Sequence, residues 1–179
     1  NRSEGEAYII AGYPWFKCRA RDMFISLPGL TLAIDEKAKY EEMMTTASKA
    51  IRNFINDEPD NLKVYEMEHP DVLLWAVWCI QQYAKMISKE ECIEKYGALL
   101  AEIMEYLRNE NHPNLFLHGN GLLYTNGHDR AVTWMNSTAN GRPVIPRTGY
   151  VVEINALWYN ALCFVADLLG KEEYKELAE

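Results

Sequence analysis

Hydrophobic positions along this chain fall into two alternating kinds of segment. Met23 to Ile34 (MFISLPGLTLAI) is apolar nearly all round, with Asp22 placed as an N-cap and Pro28-Gly29 expected to kink or break the helix. A helix apolar on every side belongs inside a structure. From Glu36 the pattern becomes one-sided: Tyr40, Met43, Met44, Ala47, Ile51, Phe54 and Ile55 recur at three- and four-residue spacing with charges between them, which predicts an amphipathic helix covering the first. The alternation then repeats. Asp71 leads into VLLWAVWCIQQYAKM (Val72 to Met86), again apolar all round. Ser88-Lys89-Glu90-Glu91 reads as a capping box opening a second stripe of Cys92, Ile93, Tyr96, Leu99, Leu100, Ile103, Met104 and Leu107. Val151 to Leu169 is a third near-continuous apolar helix closed by Gly170, and Lys171 begins a third covering helix that is cut short at Glu179.

Three buried helices, each followed by an amphipathic one, predict an all-α array of about three inner–outer helix pairs, an α/α toroid or a helical solenoid. With the inner helices parallel, Asp22, Asp71 and Glu153 share one end, where the helix macrodipole favours carboxylates. Capping accounts for Asp71 in this reading. Asp22 and Glu153 stand among Trp, Tyr and Arg and read as site residues. Before the third pair, Asn111 to Gly149 lacks helical period; it holds LFLHGNGLLYTNG, legible as a short hairpin, and then the segment around Trp134. A long loop rich in aromatic and aliphatic residues predicts an ordered site loop. It leads into a helix whose first turn carries Glu153, followed by Asn155, Trp158, Tyr159 and Asn160, a composition suited to a polyhydroxylated ligand meeting aromatic faces.

The 179 residues fit a single domain over 1–179, and 49% hydrophobic with 25% charged residues is ordinary for a globular chain. A formal net charge of −8 without a basic cluster argues against nucleic acid and for a neutral or cationic ligand. No uninterrupted apolar run approaches a membrane span and no signal peptide is visible, so neither a membrane nor secretion is expected. Cys18, Cys79, Cys92 and Cys163 have no zinc-like spacing and read as reduced thiols in a cytoplasm, and His69, His112, His118 and His128 never form HxxxH or HExxH. No metal and no cofactor are expected. Asn1-Arg2-Ser3 and Asn136-Ser137-Thr138 fit the glycosylation pattern, which matters only in a secreted protein.

The segments AGYPWF (Ala11 to Phe16), RDMFISLPGL (Arg21 to Leu30), TWMN (Thr133 to Asn136), RPVIPRTG (Arg142 to Gly149) and VEINALWYNAL (Val152 to Leu162) together resemble the bacterial and archaeal glycogen debranching enzymes. The likeness is to their amylo-α-1,6-glucosidase domain, which forms an (α/α)6 toroid. The resemblance implies that this chain spans about the first half of the toroid. It also implies a glycoside hydrolase of glycogen catabolism acting on α-1,6-linked glucose at branch points of glycogen or a related α-glucan. The chain departs from the family's YPWFGRWGRD at Lys17, Cys18, Arg19 and Ala20. It also carries Trp134-Met135-Asn136 where the family has Trp-Met-Asp, and an amide cannot donate a proton as a carboxylic acid does.

Glycoside hydrolysis uses two carboxyl groups, about 6.5–9.5 Å apart in inverting enzymes. On this resemblance Glu153, Asp22 and Asn136 occupy catalytic positions, with acid and base unassigned. Trp15, Trp134, Trp158 and Tyr159 would stack on glucose rings, and Arg21, Arg147 and Asn155 would hydrogen-bond hydroxyls or orient the acids. Trp75 and Trp78 are assigned to the core. Half a toroid is expected to be inactive alone and to self-associate through uncovered apolar faces. The rival readings are a non-catalytic glucan-binding module and a helical interaction scaffold.

Overall fold

Helices α1 (Ala20–Leu30), α2 (Lys37–Ile55), α3 (Val72–Met86), α4 (Lys89–Arg108), α5 (Val152–Leu169) and α6 (Glu172–Ala178) carry the fold in the computed structural model, which describes residues 2–3, 6–59 and 61–179. Asn1, and with it the Asn1-Arg2-Ser3 pattern, lies outside the described residues. Short strands join the helices. β1 (Arg2–Ser3) pairs antiparallel with β2 (Glu6–Ala7), and β3 (Cys18–Arg19) pairs parallel with β4 (Val64–Tyr65). In the long loop, β5 (Leu115–Leu117) and β6 (Leu123–Thr125) form the expected hairpin, and β7 (Thr138–Ala139) with β8 (Arg142–Pro143) forms a second one that the sequence did not suggest.

The helices pack in two rows. α3 touches α1 on one side and α5 on the other, α4 touches α2, α3 and α5, and α6 covers α5. Polar contacts give the directions. Arg21, at the start of α1, bonds Asp71, immediately before α3, and Lys89, just beyond α3, bonds Asp167 near the end of α5 at 2.6 Å. α1, α3 and α5 therefore run parallel, with their N-termini at one end. α2 and α4 run the other way, joined near their starts by Lys37–Glu91 and further along by Arg52–Glu102 at 2.8 Å. The core between the rows holds Met23, Phe24, Leu73, Val77, Trp158 and Leu162 from one side and Tyr40, Met44, Leu100 and Ile103 from the other. Each fully buried aliphatic or aromatic side chain is worth roughly 1.5–3 kcal/mol of transfer free energy, and this burial holds the rows together.

Several local expectations need correction. α1 begins at Ala20 behind Arg19, so Asp22 lies inside the first turn and caps nothing. Pro28 does not break the helix where it stands: α1 runs two residues past it to Leu30, at the loss of one N–H bond to the carbonyl four residues back. Thr31 Oγ1 donates to the Leu27 carbonyl at 2.5 Å as the chain turns into a 3₁₀ segment at Leu32–Ile34. Asp71 precedes α3 without capping it, since its carboxylate accepts from Arg21 and from Trp75 Nε1 at 3.3 Å. Only half of the capping box forms: Ser88 Oγ accepts from the Glu91 N–H at 3.2 Å, while the Glu91 carboxylate goes to Tyr83 and Lys37. On α4, Ile93 is exposed and Gly97 and Tyr106 are buried instead. Trp75 and Trp78 are half-buried against the core, edge to face at 5.6 Å.

α5 departs most from its sequence reading. It is buried on one side only; Val152 (80% exposed), Ala156, Tyr159 and Cys163 form an open stripe along the other. By length and composition alone α5 could cross a membrane, but its apolar run is interrupted by Glu153, Asn155, Asn160 and Asp167 and its inner side packs on α3, α4 and α6.

His112 supplies a test of packing beneath α2 and α4. Its ring lies 5.8 Å from Phe54 and 6.4 Å from Tyr106, Nδ1 accepts from the Asn114 N–H at 3.1 Å, and burial pushes the imidazole down to about 4 from 6.5. A depressed histidine pKa stabilises the fold while the ring stays neutral. That contribution is complete above pH 6.5 and is lost as pH falls towards 4. Urea denaturation across this window should show stability falling with acidity, with a shallower slope in His112→Gln; equal slopes would assign the acid sensitivity to other groups.

Candidate functional site

The site is assembled from the long loop and the start of α5. Thr125, ending β6, exchanges backbone hydrogen bonds with Gly149 at 3.0 and 2.9 Å, and its Oγ1 donates to the Arg147 carbonyl at 3.0 Å. Gly127 lies so close to this segment that a Cβ would come within 2.7 Å of the Arg147 backbone, so the passage requires glycine. Asn155 ties the helix to the same hairpin: Oδ1 accepts from the Leu123 N–H at 2.8 Å, and Nδ2 donates to the Leu123 and Val151 carbonyls at 3.0 and 3.1 Å. Trp158, 1% exposed, donates from Nε1 to the Gly121 carbonyl at 3.1 Å.

This frame aims Arg147 across the first turn of α5. Its Nη2 donates to Glu153 Oε2 at 2.7 Å while Nη1 pairs with Oε1, a fork-to-fork contact with both side chains partly exposed. Nη1 also lies 3.4 Å from Met135 Sδ. One guanidinium thus joins the Glu153 carboxylate to the loop of Trp134, Met135 and Asn136. The loop is shaped locally: Met135 N–H donates to the buried Thr133 Oγ1 at 3.3 Å, and Asn136 N–H donates to the Trp134 carbonyl at 2.9 Å. Trp134, with its side chain 62% exposed, offers an apolar face beside this polar pair. The arrangement presents a carboxylate able to accept hydroxyl hydrogens or to activate water, with an arginine fixing its orientation.

The other expected residues divide. Asp22 lies exposed in the first turn of α1, at the same end as Glu153 but on the far side of α3. Arg21, expected to meet ligand, is buried. It donates to both Asp71 oxygens at 2.7 and 2.8 Å and to His69 Nδ1 at 2.9 Å, which leaves the guanidinium facing protein. Asn155 and Trp158 likewise have their polar groups engaged within the fold, as supports for the frame. Tyr159 belongs to the open stripe of α5. Trp15 lines a separate cleft of about 1080 Å³ that includes none of Glu153, Arg147 or Trp134.

Two groupings were missed by sequence reasoning. His118, Tyr124 and Tyr150 cluster beside the hairpin, with His118 stacked on Tyr124 at 5.1 Å and its Nδ1 2.7 Å from the Tyr150 hydroxyl. The cleft containing Trp15 draws on Tyr65, Glu66 and Glu68 as well as on Phe54 and Tyr106, and no single stretch of sequence signals it. Among the described residues no three of His, Cys, Asp and Glu gather as a metal-binding set. Burial raises the thiols of Cys18 and Cys92 to about 11 and of Cys79 to about 12, which keeps them unreactive.

A family model described as amylo-alpha-1,6-glucosidase matches residues 1–179. No curated protein and no solved structure matches the chain significantly.

Proposed function

The chain belongs to the amylo-alpha-1,6-glucosidase family, and from that premise we propose that it forms part of an (α/α)6 toroid hydrolysing α-1,6-linked glucose in glycogen or a related α-glucan, with Glu153 at the centre of the site. The observation that carries this reading is the Arg147–Glu153 pair: a partly exposed carboxylate at the N-terminus of an inner helix, oriented by an arginine from the loop that bears exposed Trp134. Two parallel rows of helices with all three inner N-termini at one end support the toroid. The open stripe of Val152, Ala156, Tyr159 and Cys163 supports a covering partner on α5, either further helices of the toroid or a second copy.

In this reading Glu153 is one of the two carboxylates glycoside hydrolysis uses, and Asp22, exposed at the same end, is the candidate for the other. Asn136 contributes its amide as a hydrogen-bond donor and acceptor, and cannot act as the acid. That substitution favours one alternative, a glucan-binding module without turnover. Unpaired thiols suit a cytoplasmic location.

Binding can be tested before turnover. Isomalto-oligosaccharides should quench or shift the tryptophan fluorescence of the folded chain at millimolar concentration, and Trp134→Ala should abolish most of that response. No response to any α-glucan from a folded sample would favour the scaffold reading.

A further inference from the structure

Arg147 touches more than Glu153. Its Nη1 pairs with Glu153 Oε1 and also lies 3.4 Å from Met135 Sδ, so one nitrogen faces a carboxylate and a thioether together, while Nη2 donates to Glu153 Oε2 at 2.7 Å. The thioether is brought there by its backbone. Met135 N–H donates to Oγ1 of the fully buried Thr133 at 3.3 Å, which pins the chain beneath a side chain that is itself half-buried. The other methionines stand elsewhere. Met23, Met44, Met67 and Met104 are buried in the core, Met43 packs against it, and Met86 is 48% exposed at the last residue of α3.

A thioether sulfur is a weak acceptor and carries no charge. It fills the space beside the guanidinium and takes a weak N–H contact without drawing Arg147 from the carboxylate, whose charge-assisted bonds are the stronger ones. Oxidation reverses that balance. When a peroxide meets Met135, the sulfur lone pair attacks one peroxide oxygen, the O–O bond breaks, an S–O bond forms, and the second oxygen leaves with both protons as water. Sulfur gives up two electrons and the peroxide takes them, so the product is the sulfoxide. The new oxygen is a polar acceptor carried on an atom 3.4 Å from Nη1, within reach of the N–H group that now serves Glu153 Oε1. Glu153 then keeps one arm of the fork instead of two.

We propose that Met135 is a reversible oxidation site that sets the position of Arg147: as a thioether it leaves the arginine fork on Glu153, and as a sulfoxide it draws Nη1 away and lets the carboxylate turn. A methionine sulfoxide reductase, with a thiol as the electron source, restores the first state. Met135 is thus a positioning residue, acting on the reacting bond only through Arg147 and Glu153. The movement of Arg147 follows from the geometry, and its consequence for turnover rests on the proposed function.

The test treats the isotope-labelled chain with hydrogen peroxide, reads oxygen uptake at Met135 and Met86 from peptide masses, and follows the guanidinium N–H signals of Arg147. Conversion at Met135 should shift those signals while the amides of Thr125 and Gly149 stay in place, and the reductase should return them. Reversal by the reductase separates the sulfoxide from oxidation of the neighbouring Trp134. Met86 is the internal control, since its oxidation should leave Arg147 untouched. In Met135→Leu the Arg147 signals should no longer respond to peroxide, and Met135→Gln, which brings an amide oxygen towards Nη1, should reproduce the oxidised signals without it. In the natural protein that carries residues 1–179, oxidation should lower kcat for glucose release about 10- to 100-fold, the scale of a catalytic group displaced by about 1 Å, with KM little changed and the reductase restoring the rate. Arg147 signals that stay still with Met135 oxidised, or that move equally in Met135→Leu, overturn the proposal. So does full turnover with Met135 oxidised, or a Met135 that stays a thioether while Met86 is fully converted. Arg147 signals that switch reversibly in a protein releasing no glucose in either state uphold the switch and count against the role given to Glu153.

Discussion

Glu153→Gln should lower kcat for glucose release by about 10²–10⁴-fold, the usual worth of a positioned acid–base group, when measured in the natural protein that carries residues 1–179. The substitution keeps the side chain's shape, and its amide oxygen can still accept from Arg147, so the frame built by Thr125, Gly127 and Asn155 should stand. Only the ionisable group is lost. KM should change little, because the group acts on the reacting bond more than on the bound sugar. Activity close to that of the natural protein would reduce Glu153 to a favourable charge at the start of α5, worth about 0.3–1 kcal/mol. Asn136→Asp is the companion change. A large gain would mean that this chain lacks an acid at that position, and no gain in an active protein would place the acid elsewhere, with Asp22 next to be tested.

The second large effect is on stability. Arg21 and Asp71 form a bidentate pair with both side chains almost wholly buried, which ties the start of α1 to the start of α3. Removing one partner strands the other charge away from water, so Asp71→Ala should destabilise the fold by about 3–5 kcal/mol in urea denaturation. For a domain whose total is typically about 5–15 kcal/mol, that is a large share. The double replacement Arg21→Met with Asp71→Leu should recover most of the loss, since no charge is then left unpaired. A single-variant loss below about 1 kcal/mol would be that of a solvated surface pair, and would mean that the N-termini of α1 and α3 are held mainly by apolar packing.

Helix periodicity was the most legible layer of this chain. The two-kind alternation of segments located the six helices of the described residues, because each apolar stripe had to be buried against another, and LFLHGNGLLYTNG was separately legible as the hairpin. It gave α5 as buried all round, and here it failed. Val152, Ala156, Tyr159 and Cys163 are apolar or weakly polar, and hydropathy cannot tell a face that meets a neighbour in this chain from one that does not. Helix starts misled for a different reason. Asp22 and Asp71 have the composition of caps, yet the first lies one turn further in and the second pairs with an arginine 50 residues away in sequence. A capping rule is local and cannot see such a partner. Site residues divided along the same line. Glu153, Arg147 and Trp134 lie within one stretch of about twenty residues, so a reading of local composition and motif could name them together. Arg21, Asn155 and Trp158 had suitable chemistry as well, but the fold engages their polar groups internally. The Trp15 cleft was hidden because it draws on separate stretches around Trp15, Phe54, Glu66 and Tyr106.

The central claim is that this domain cleaves α-1,6-linked glucose through Glu153, and it meets its most direct test in a branched dextrin carrying single α-1,6-linked glucosyl stubs, followed by the anomeric proton signals during incubation with the natural protein. The account predicts that the α-1,6 signal disappears with release of one glucose per stub, that the α-1,4 signals persist, and that Glu153→Gln leaves both unchanged over the same period. An α-1,6 signal that persists while the dextrin demonstrably binds would contradict the claim and leave a glucan-binding module in its place.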